Sequence, residues 1–400
     1  MEKIKKVLSS FLNKLEPIEG LFHWAVIFIC LTVVIYLYRN NSLLEQNLSE
    51  SMIEGTNISD NLASMSAQLI ALRNEDQYLI NQDLEATISA IEKTYLKASL
   101  TYEDLVKLKE KTKTKELDAL FADVLVYLSD RDYSKASDEL RTMSQKIDEE
   151  NARIAREFTI PENLVSSNTP PGAGYQVQRV SIDIGEYMVS IISADLNSTR
   201  VIVDTASDGT CHDNCPVASV ASYAGRSGAF AAINGSYFCP ASYPSCAGKT
   251  NSFDTLLMNK NKVYFNSDNN VYSNVPAVIF QGSSARFVGA SSAWGRDTGV
   301  DAVLANQPLL VSGGNSVFGG DGDPKKGSKG GRSFVGASGN TVYIGVVHNA
   351  TVAESSRVLA AMGIQDALNL DSGGSTALWY GGYKVGPGRD LPNALLFVRK

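Results

Sequence analysis

The sequence predicts an α+β protein in which one transmembrane helix and an all-α stem precede a strand-rich C-terminal domain, and three observations predict it. Residues 42 to 158 carry almost no proline or glycine and place apolar residues at helical spacing. Residues 159 to 176, TIPENLVSSNTPPGAGYQ, change abruptly to Pro, Ser, Asn and Gly, the composition of a linker. From 177 to 400, short β-branched runs such as RVIVDTA, AFAAIN, PAVIF, TVYIGVV and NALLFV alternate with clusters of Gly, Asn, Ser and Asp.

The N-terminal elements come first in the chain. Residues 1 to 20 form a basic, amphipathic tail suited to a cytoplasmic membrane face. LFHWAVIFICLTVVIYLY, residues 21 to 38, is almost wholly apolar and long enough to span a hydrocarbon core. It lies far from the terminus and is followed by no small-residue cleavage site, so it predicts a signal-anchor rather than a cleaved signal peptide. Lys3, Lys5, Lys6 and Lys14 precede it and acidic residues follow, which predicts a cytoplasmic N-terminus and an extracytoplasmic remainder, in a periplasm or at a cell surface. The formal charge of -7 argues against nucleic acid as a partner.

In the stem, Leu62, Met65, Leu69 and Leu72 form one stripe, Leu84, Ile88, Ile91 and Tyr95 a second, and Leu117, Leu120, Phe121, Val124, Leu125 and Leu128 a third. Residues 129 to 140 predict a turn between antiparallel helices, with Asp132 or Ser134 capping the second. These stripes are packing surfaces through which the stem could self-associate or recruit a partner protein. A coiled coil is one such form, although no heptad run is long enough to define it. In the C-terminal domain VAESSRVLAAMG, residues 352 to 363, predicts a helix stopped by Gly363.

Cys211, Cys215, Cys239 and Cys246 form an even set in one region, apart from Cys30 in the apolar run. Their spacings differ from zinc-knuckle pairs, and an extracytoplasmic compartment favours disulfides over the competing zinc reading. Pairing 211 with 215 and 239 with 246 is the local choice among three connectivities.

Four polar breaks follow apolar strands: AAINGSYF (231 to 238), GGDGDPKKGSKGGRSF (319 to 334), GVVHNAT (345 to 351) and LNLDSGGS (368 to 375). Strands that deliver polar side chains to one end of a sheet are the usual way a rigid scaffold presents a site. Asp371 is a candidate acid, base or electrostatic stabiliser; Asn234, Asn369, Ser375 and Thr376 suit sugar hydroxyls. Arg332 offers a permanently charged fork for a phosphate, and Lys325, Lys326 and Lys329 lie on the Gly-rich run before it, as an anion clamp or lid would require. The glycines match no nucleotide-binding fingerprint. No ligand spacing for a metal is evident, so no cofactor is expected, although a divalent cation at Asp371 stays open.

AAINGSYF, RSFVGASGNTVYIGVV, IQDALNLDSGGSTALWYGGY and LPNALLFV occur in the order and approximate spacing of the phosphodiester glycosidase family, which residues 177 to 400 resemble. The resemblance implies cleavage of a sugar from a sugar-1-phosphodiester. It carries over Asn234 and Tyr237, then Arg332, then Asp371, Gly373, Gly374 and Ser375, then Asn393. Two departures stand out: Ser372 replaces a family glycine, and His348-Asn349 stands where the family often has Asp-Gly. His348 is a candidate general acid or base in place of that carboxylate.

These readings predict a membrane-anchored hydrolase in which Arg332 holds the phosphate and Asp371 serves the oxocarbenium-like centre. The alternative is a membrane-tethered glycan-binding or polysaccharide-assembly protein that keeps the pocket without turnover.

Overall fold

The computed structural model describes residues 2–74, 76–270 and 273–400, with side chains described for 28, 29, 31–74, 77–269 and 273–400. Four helices come first: α1 (Glu2–Arg73), α2 (Asp76–Lys109), α3 (Lys115–Ser129) and α4 (Tyr133–Glu157). Contacts divide the chain within α2, into residues Met1–Ser89 and Ala90–Lys400, so the second half of the stem belongs with the strand-rich domain.

Among the described residues no helix is long and apolar enough to cross a membrane. The span expected at 21 to 38 falls within α1, and the side chains of residues 21 to 27 and of Cys30 lie outside the described residues. Those described in that run, such as Phe28 and Ile35, are exposed, as are Leu62, Met65, Leu69 and Leu72. No coiled coil is present among the described residues. Instead the end of α2, α3 and α4 pack as a short bundle around two clusters, one of Ala98, Val124, Leu128, Ala136 and Leu140 and one of Leu105, Leu108, Leu117, Met143 and Ile147. Asp132 caps α4 by accepting from the Lys135 amide at 3.1 Å, as the turn composition predicts.

Among the described residues three sheets build the C-terminal domain. The largest has eight strands in the order Val165–Ser166, Gly174–Ile182, Gly185–Asp195, Thr341–Ala350, Gly330–Ser338, Asp366–Asn369, Leu309–Ser312 and Asn315–Ser316, all antiparallel except the first pair. A second runs Tyr383–Val385, Leu378–Tyr380, Ala231–Asn234, Asn393–Arg399 and Thr199–Thr205. The third comprises Tyr264–Phe265, Leu257–Met258, Ala302–Ala305, Ala277–Gln281 and Ser284–Val288.

Strand periodicity sorts their side chains. Val335, Ile344 and Leu368 of the large sheet meet Ile233, Leu395 and Phe397 of the second and Leu257, Phe280 and Leu304 of the third in one core. Phe334, one residue from Val335, points the other way, beneath the helix Val352–Ala361 with Val358, Leu359 and Met362. Complete burial of Phe334 or Phe397 is worth roughly 2–3 kcal/mol each. Thr351 and Glu354 close a capping box at the start of that helix. The helix Val220–Ser227 covers the outer face of the second sheet through Val220, Tyr223 and Ala224.

Both disulfides take the local pairing, Cys211 with Cys215 and Cys239 with Cys246. A zinc site at these residues is thereby excluded.

Candidate active site

The ends of the Ala231–Asn234, Gly330–Ser338 and Asp366–Asn369 strands converge where the large sheet meets the second. Asn234, fully buried, ties them together. Its Nδ2 donates to the Asp371 carbonyl at 2.6 Å, while its Oδ1 accepts from Ser333 Oγ at 2.8 Å and from the Ala377 amide at 3.1 Å. With both sites of its amide oxygen and one N–H engaged by protein, Asn234 positions the Asp371 loop. Asn393, also buried, plays the same part next to it, accepting from the Ser236 amide and donating to Ser236 Oγ, both at 3.0 Å. Gly235 is required between them, because a Cβ there would lie 1.8 Å from Asn393 Oδ1 and 2.8 Å from its carbonyl.

Tyr237 is reached from the same turn. Its hydroxyl accepts from Asn369 Nδ2 at 2.7 Å, which leaves its own proton free to be donated. Burial first, then the Asp371 charge, push its pKa well above the ordinary phenol value. Asn306 locks this corner, accepting from the Tyr237 amide at 2.9 Å and donating to the Asn369 carbonyl at 2.8 Å. Asn369 Oδ1 is buried without a hydrogen-bond donor.

Asp371 is half-buried as a residue, with its carboxyl drawn inward. Desolvation raises its pKa to about 6, against bonds from Ser375 and the Ser372 amide and the charges of Arg389 and Lys325. The loop after it is bare backbone. Gly373 takes φ +64°, and a Cβ on Gly374 would meet Arg389 Nη2 at 2.1 Å and Glu110 Oε2 at 2.4 Å. Thr376, buried, donates to the Gly331 carbonyl at 3.3 Å.

Arg332 is 6% exposed and braces the basic loop. Its Nε donates to the Ala350 carbonyl at 2.9 Å and its Nη2 to the carbonyls of Lys325, at 3.0 Å, and Ser328. Among the described residues no carboxylate comes within ion-pair distance of it, and burial lowers its pKa. The loop itself holds one helical turn, Pro324–Gly327, capped by Asp323. Lys326 pairs with Asp321, Lys329 with Glu354 at 2.6 Å and Lys325 with the buried Glu103 at 3.8 Å, and the Lys325 charge also acts on Asp371.

His348 stands apart from these groups, its Nε2 2.9 Å from Ser190 Oγ; burial lowers its pKa to about 4, which keeps the ring neutral at neutral pH. Neighbouring Asn349 donates to the Ala155 carbonyl of α4 at 2.9 Å. Among the described residues no three His, Cys, Asp or Glu gather to hold a metal ion.

Sequence reasoning passed over Arg389 and the end of α2. Arg389 lies over the Tyr243 ring at 5.2 Å, pairs with Glu110 at 3.1 Å, and donates its amide to the Gly374 carbonyl at 2.8 Å. Its signal in sequence is one basic residue in GPGRDLPN, just before the Asn393 strand. Lys107, Lys325 and Arg389 share the Tyr243 ring, at 5.4, 5.7 and 5.2 Å from its centroid. The Lys111 amine is tucked in although the residue is largely exposed, and burial, then the nearby Arg332 charge, lower its pKa. The site is therefore a carboxyl group on bare backbone, faced by several cations and neighboured by Asn369 Oδ1, a buried acceptor without a hydrogen-bond donor.

Residues 227–398 match the family described as phosphodiester glycosidase, and the resemblance holds for the C-terminal domain alone. Three solved structures are similar at low identity. The catalytic domain of zebrafish N-acetylglucosamine-1-phosphodiester alpha-N-acetylglucosaminidase, auto-inhibited by its pro-peptide, is 13% identical with a TM-score of 0.44, over 60% of this chain and 87% of that one. A hypothetical protein from Synechocystis is 14% identical with a TM-score of 0.39; the match covers 56% of this chain and 62% of that one, less than two thirds of its length. An exported protein from Burkholderia pseudomallei is 11% identical with a TM-score of 0.34, over 53% and 74%. No curated protein matches the chain.

Proposed function

We propose that this protein is a membrane-anchored, extracytoplasmic glycosidase that hydrolyses a sugar-1-phosphodiester in a glycan or envelope polymer. The observation that carries the reading is Asp371: a carboxyl with its pKa raised to about 6, on a glycine loop, within reach of the Arg389 and Lys325 charges. The family match over residues 227–398 supports the reaction class.

A phosphomonoester is a good leaving group, so the reaction needs charge stabilisation at phosphate more than a proton from a second carboxylate. Arg389 and Lys325 hold the phosphate, with the remaining Arg332 nitrogen behind them. Ionised Asp371 takes a proton from water; the water oxygen bonds to the anomeric carbon as the bond from that carbon to the phosphate oxygen breaks. The phosphate departs with the electron pair, and Asp371 releases its proton to solvent or phosphate. Tyr237 donates to a substrate oxygen, and the Gly373 and Gly374 backbone lets the sugar approach. The apolar run at 21 to 38 supports the membrane tether, which retention of the intact chain in membranes after alkaline washing would test.

The experiment is release of sugar and phosphomonoester from a panel of sugar-1-phosphodiesters by the intact chain, beside Asp371→Asn. Release by the parent and not the variant supports the enzyme. Saturable glycan binding without release would favour the glycan-binding or assembly reading, which the engagement of Arg332 by backbone carbonyls favours.

A further inference from the structure

The last two turns of α2 put Glu103 and Lys107 on one face, Glu110 follows directly after the helix, and all three meet the candidate site. Glu110 pairs with Arg389 above Gly374, and Lys107 covers Tyr243. Glu103 is the most deeply placed, with no exposed surface. Its Oε1 accepts from the Ser245 amide at 3.0 Å, within the loop closed by Cys239 and Cys246. Its Oε2 is buried, has no hydrogen-bond donor, and lies 3.8 Å from Lys325 Nζ. Lys325 is one of the two cations acting on Asp371, and its carbonyl is held by Arg332.

A buried carboxylate oxygen left without a donor is costly, and a well-packed apolar residue would hold α2 in place at least as well. A stem serving only as spacer has no use for such a group. The oxygen faces only the Lys325 ammonium, in an ion pair at 3.8 Å, and keeps its capacity to accept a hydrogen bond; a substrate held by Lys325 and Arg389 brings hydroxyls next to its phosphate.

We propose that Glu103 is a substrate-binding residue contributed by the stem: Oε2 accepts a hydrogen bond from a sugar hydroxyl of the phosphodiester, so the site is shared between α2 and the C-terminal domain. This rests on the phosphodiester glycosidase reading. It makes Glu103 a specificity determinant, since a sugar lacking that hydroxyl leaves the oxygen orphaned.

The test is steady-state hydrolysis by the intact chain and its Glu103→Gln variant, with calorimetric binding of the corresponding sugar-1-phosphate and a thermal melt of each. Gln preserves the acceptor for Ser245 and replaces Oε2 by a donor. The expected result is KM raised about 10- to 100-fold, kcat within about threefold, and reduced discrimination against deoxy-sugars, with the melt unchanged or raised. Unchanged KM means a structural pin and overturns the proposal; a rise in activity means α2 obstructs the site and also overturns it. If Glu103→Gln fails to fold, Glu103→Asp, which shortens the reach, is expected to raise KM likewise, and an unchanged KM again overturns it. Where the parent hydrolyses no phosphodiester, the enzymatic reading fails by itself. Sugar-1-phosphate binding weakened by Glu103→Gln then upholds the subsite, and binding that is unaffected or absent in the parent overturns it.

Discussion

The Asn234 side chain donates to the Asp371 carbonyl at 2.6 Å across 137 residues of sequence, joining the second sheet to the loop that carries the candidate catalytic carboxyl. The same amide oxygen takes the Ser333 hydroxyl from the large sheet and the Ala377 amide. Asn234→Ala would orphan three buried partners at once. It is expected to destabilise the protein by about 2–4 kcal/mol in urea unfolding, and to abolish turnover even where the fold persists, because Asp371 loses its anchor.

Asp371 and His348 pull stability in opposite directions with pH. Asp371 has its pKa raised from 3.8 to about 6 by burial, so its stabilising contribution is full below about pH 3.8 and is lost as pH rises through 6. His348 has its pKa lowered from 6.5 to about 4, so its contribution is full above pH 6.5 and is lost as pH falls through 4. Asp371→Asn is expected to raise stability at pH 7.5, on the order of 1–2 kcal/mol after discounting for solvent access to a half-buried residue, with no gain at pH 3.5. His348→Gln is expected to make the protein less acid-sensitive between pH 6.5 and 4. Urea midpoints across pH check both.

Activity should follow the same groups. Hydrolysis is expected to rise through about pH 6 as Asp371 ionises, and the His348→Gln variant should keep that limb, since the ring is already neutral there. A pH–rate profile whose acid limb vanished in His348→Gln would assign the base to the histidine.

Two glycines separate backbone constraint from side-chain contact. Gly235→Ala drives a Cβ into the Asn393 carboxamide and its backbone carbonyl, and is expected to cost more than about 2 kcal/mol. The atoms nearest the Cβ of Gly374→Ala are the flexible ends of Arg389 and Glu110. The substitution should cost less than about 1 kcal/mol in a melt while breaking the contact between α2 and the Asp371 loop.

The Cys239–Cys246 bridge closes a short loop that carries Tyr243 and Ser245, the contacts for Arg389 and Glu103. Replacing both cysteines by serine removes roughly 2 kcal/mol by loop entropy. KM should rise further than that of a surface variant equally destabilised elsewhere, which paired melts and kinetics would show.

Much of the architecture was legible locally. The helical stripes, the Asp132 cap, the 352 to 363 helix and the strand runs from 177 onwards follow from period and capping chemistry, which depend on neighbours a few residues apart. The even cysteine set likewise favoured local bridges. Strand-end breaks pointed to Asn234, Arg332, Asn369, Asp371, Ser375 and Thr376 because polar groups at the end of buried strands need a reason, and the family resemblance added Tyr237 and Asn393. Their division of labour was not legible. Asn234 and Asn393 hold loops and Arg332 caps carbonyls, and nothing in local sequence distinguishes an amide bonded to backbone from one facing a ligand.

What the sequence by itself determined is the order of elements, their type, and the chemical inventory delivered to one end of the sheets. Only tertiary structure decided which charges act on Asp371. Arg389 arrives from a turn near the C-terminus, and Glu103 and Glu110 from the end of α2 and the residue after it, more than a hundred residues before the Ser245, Lys325 and Arg389 they meet. Local propensity is set by neighbours along the chain, whereas a pKa or an orphaned oxygen is set by whatever packing places within a few ångströms. That second quantity has no period to read.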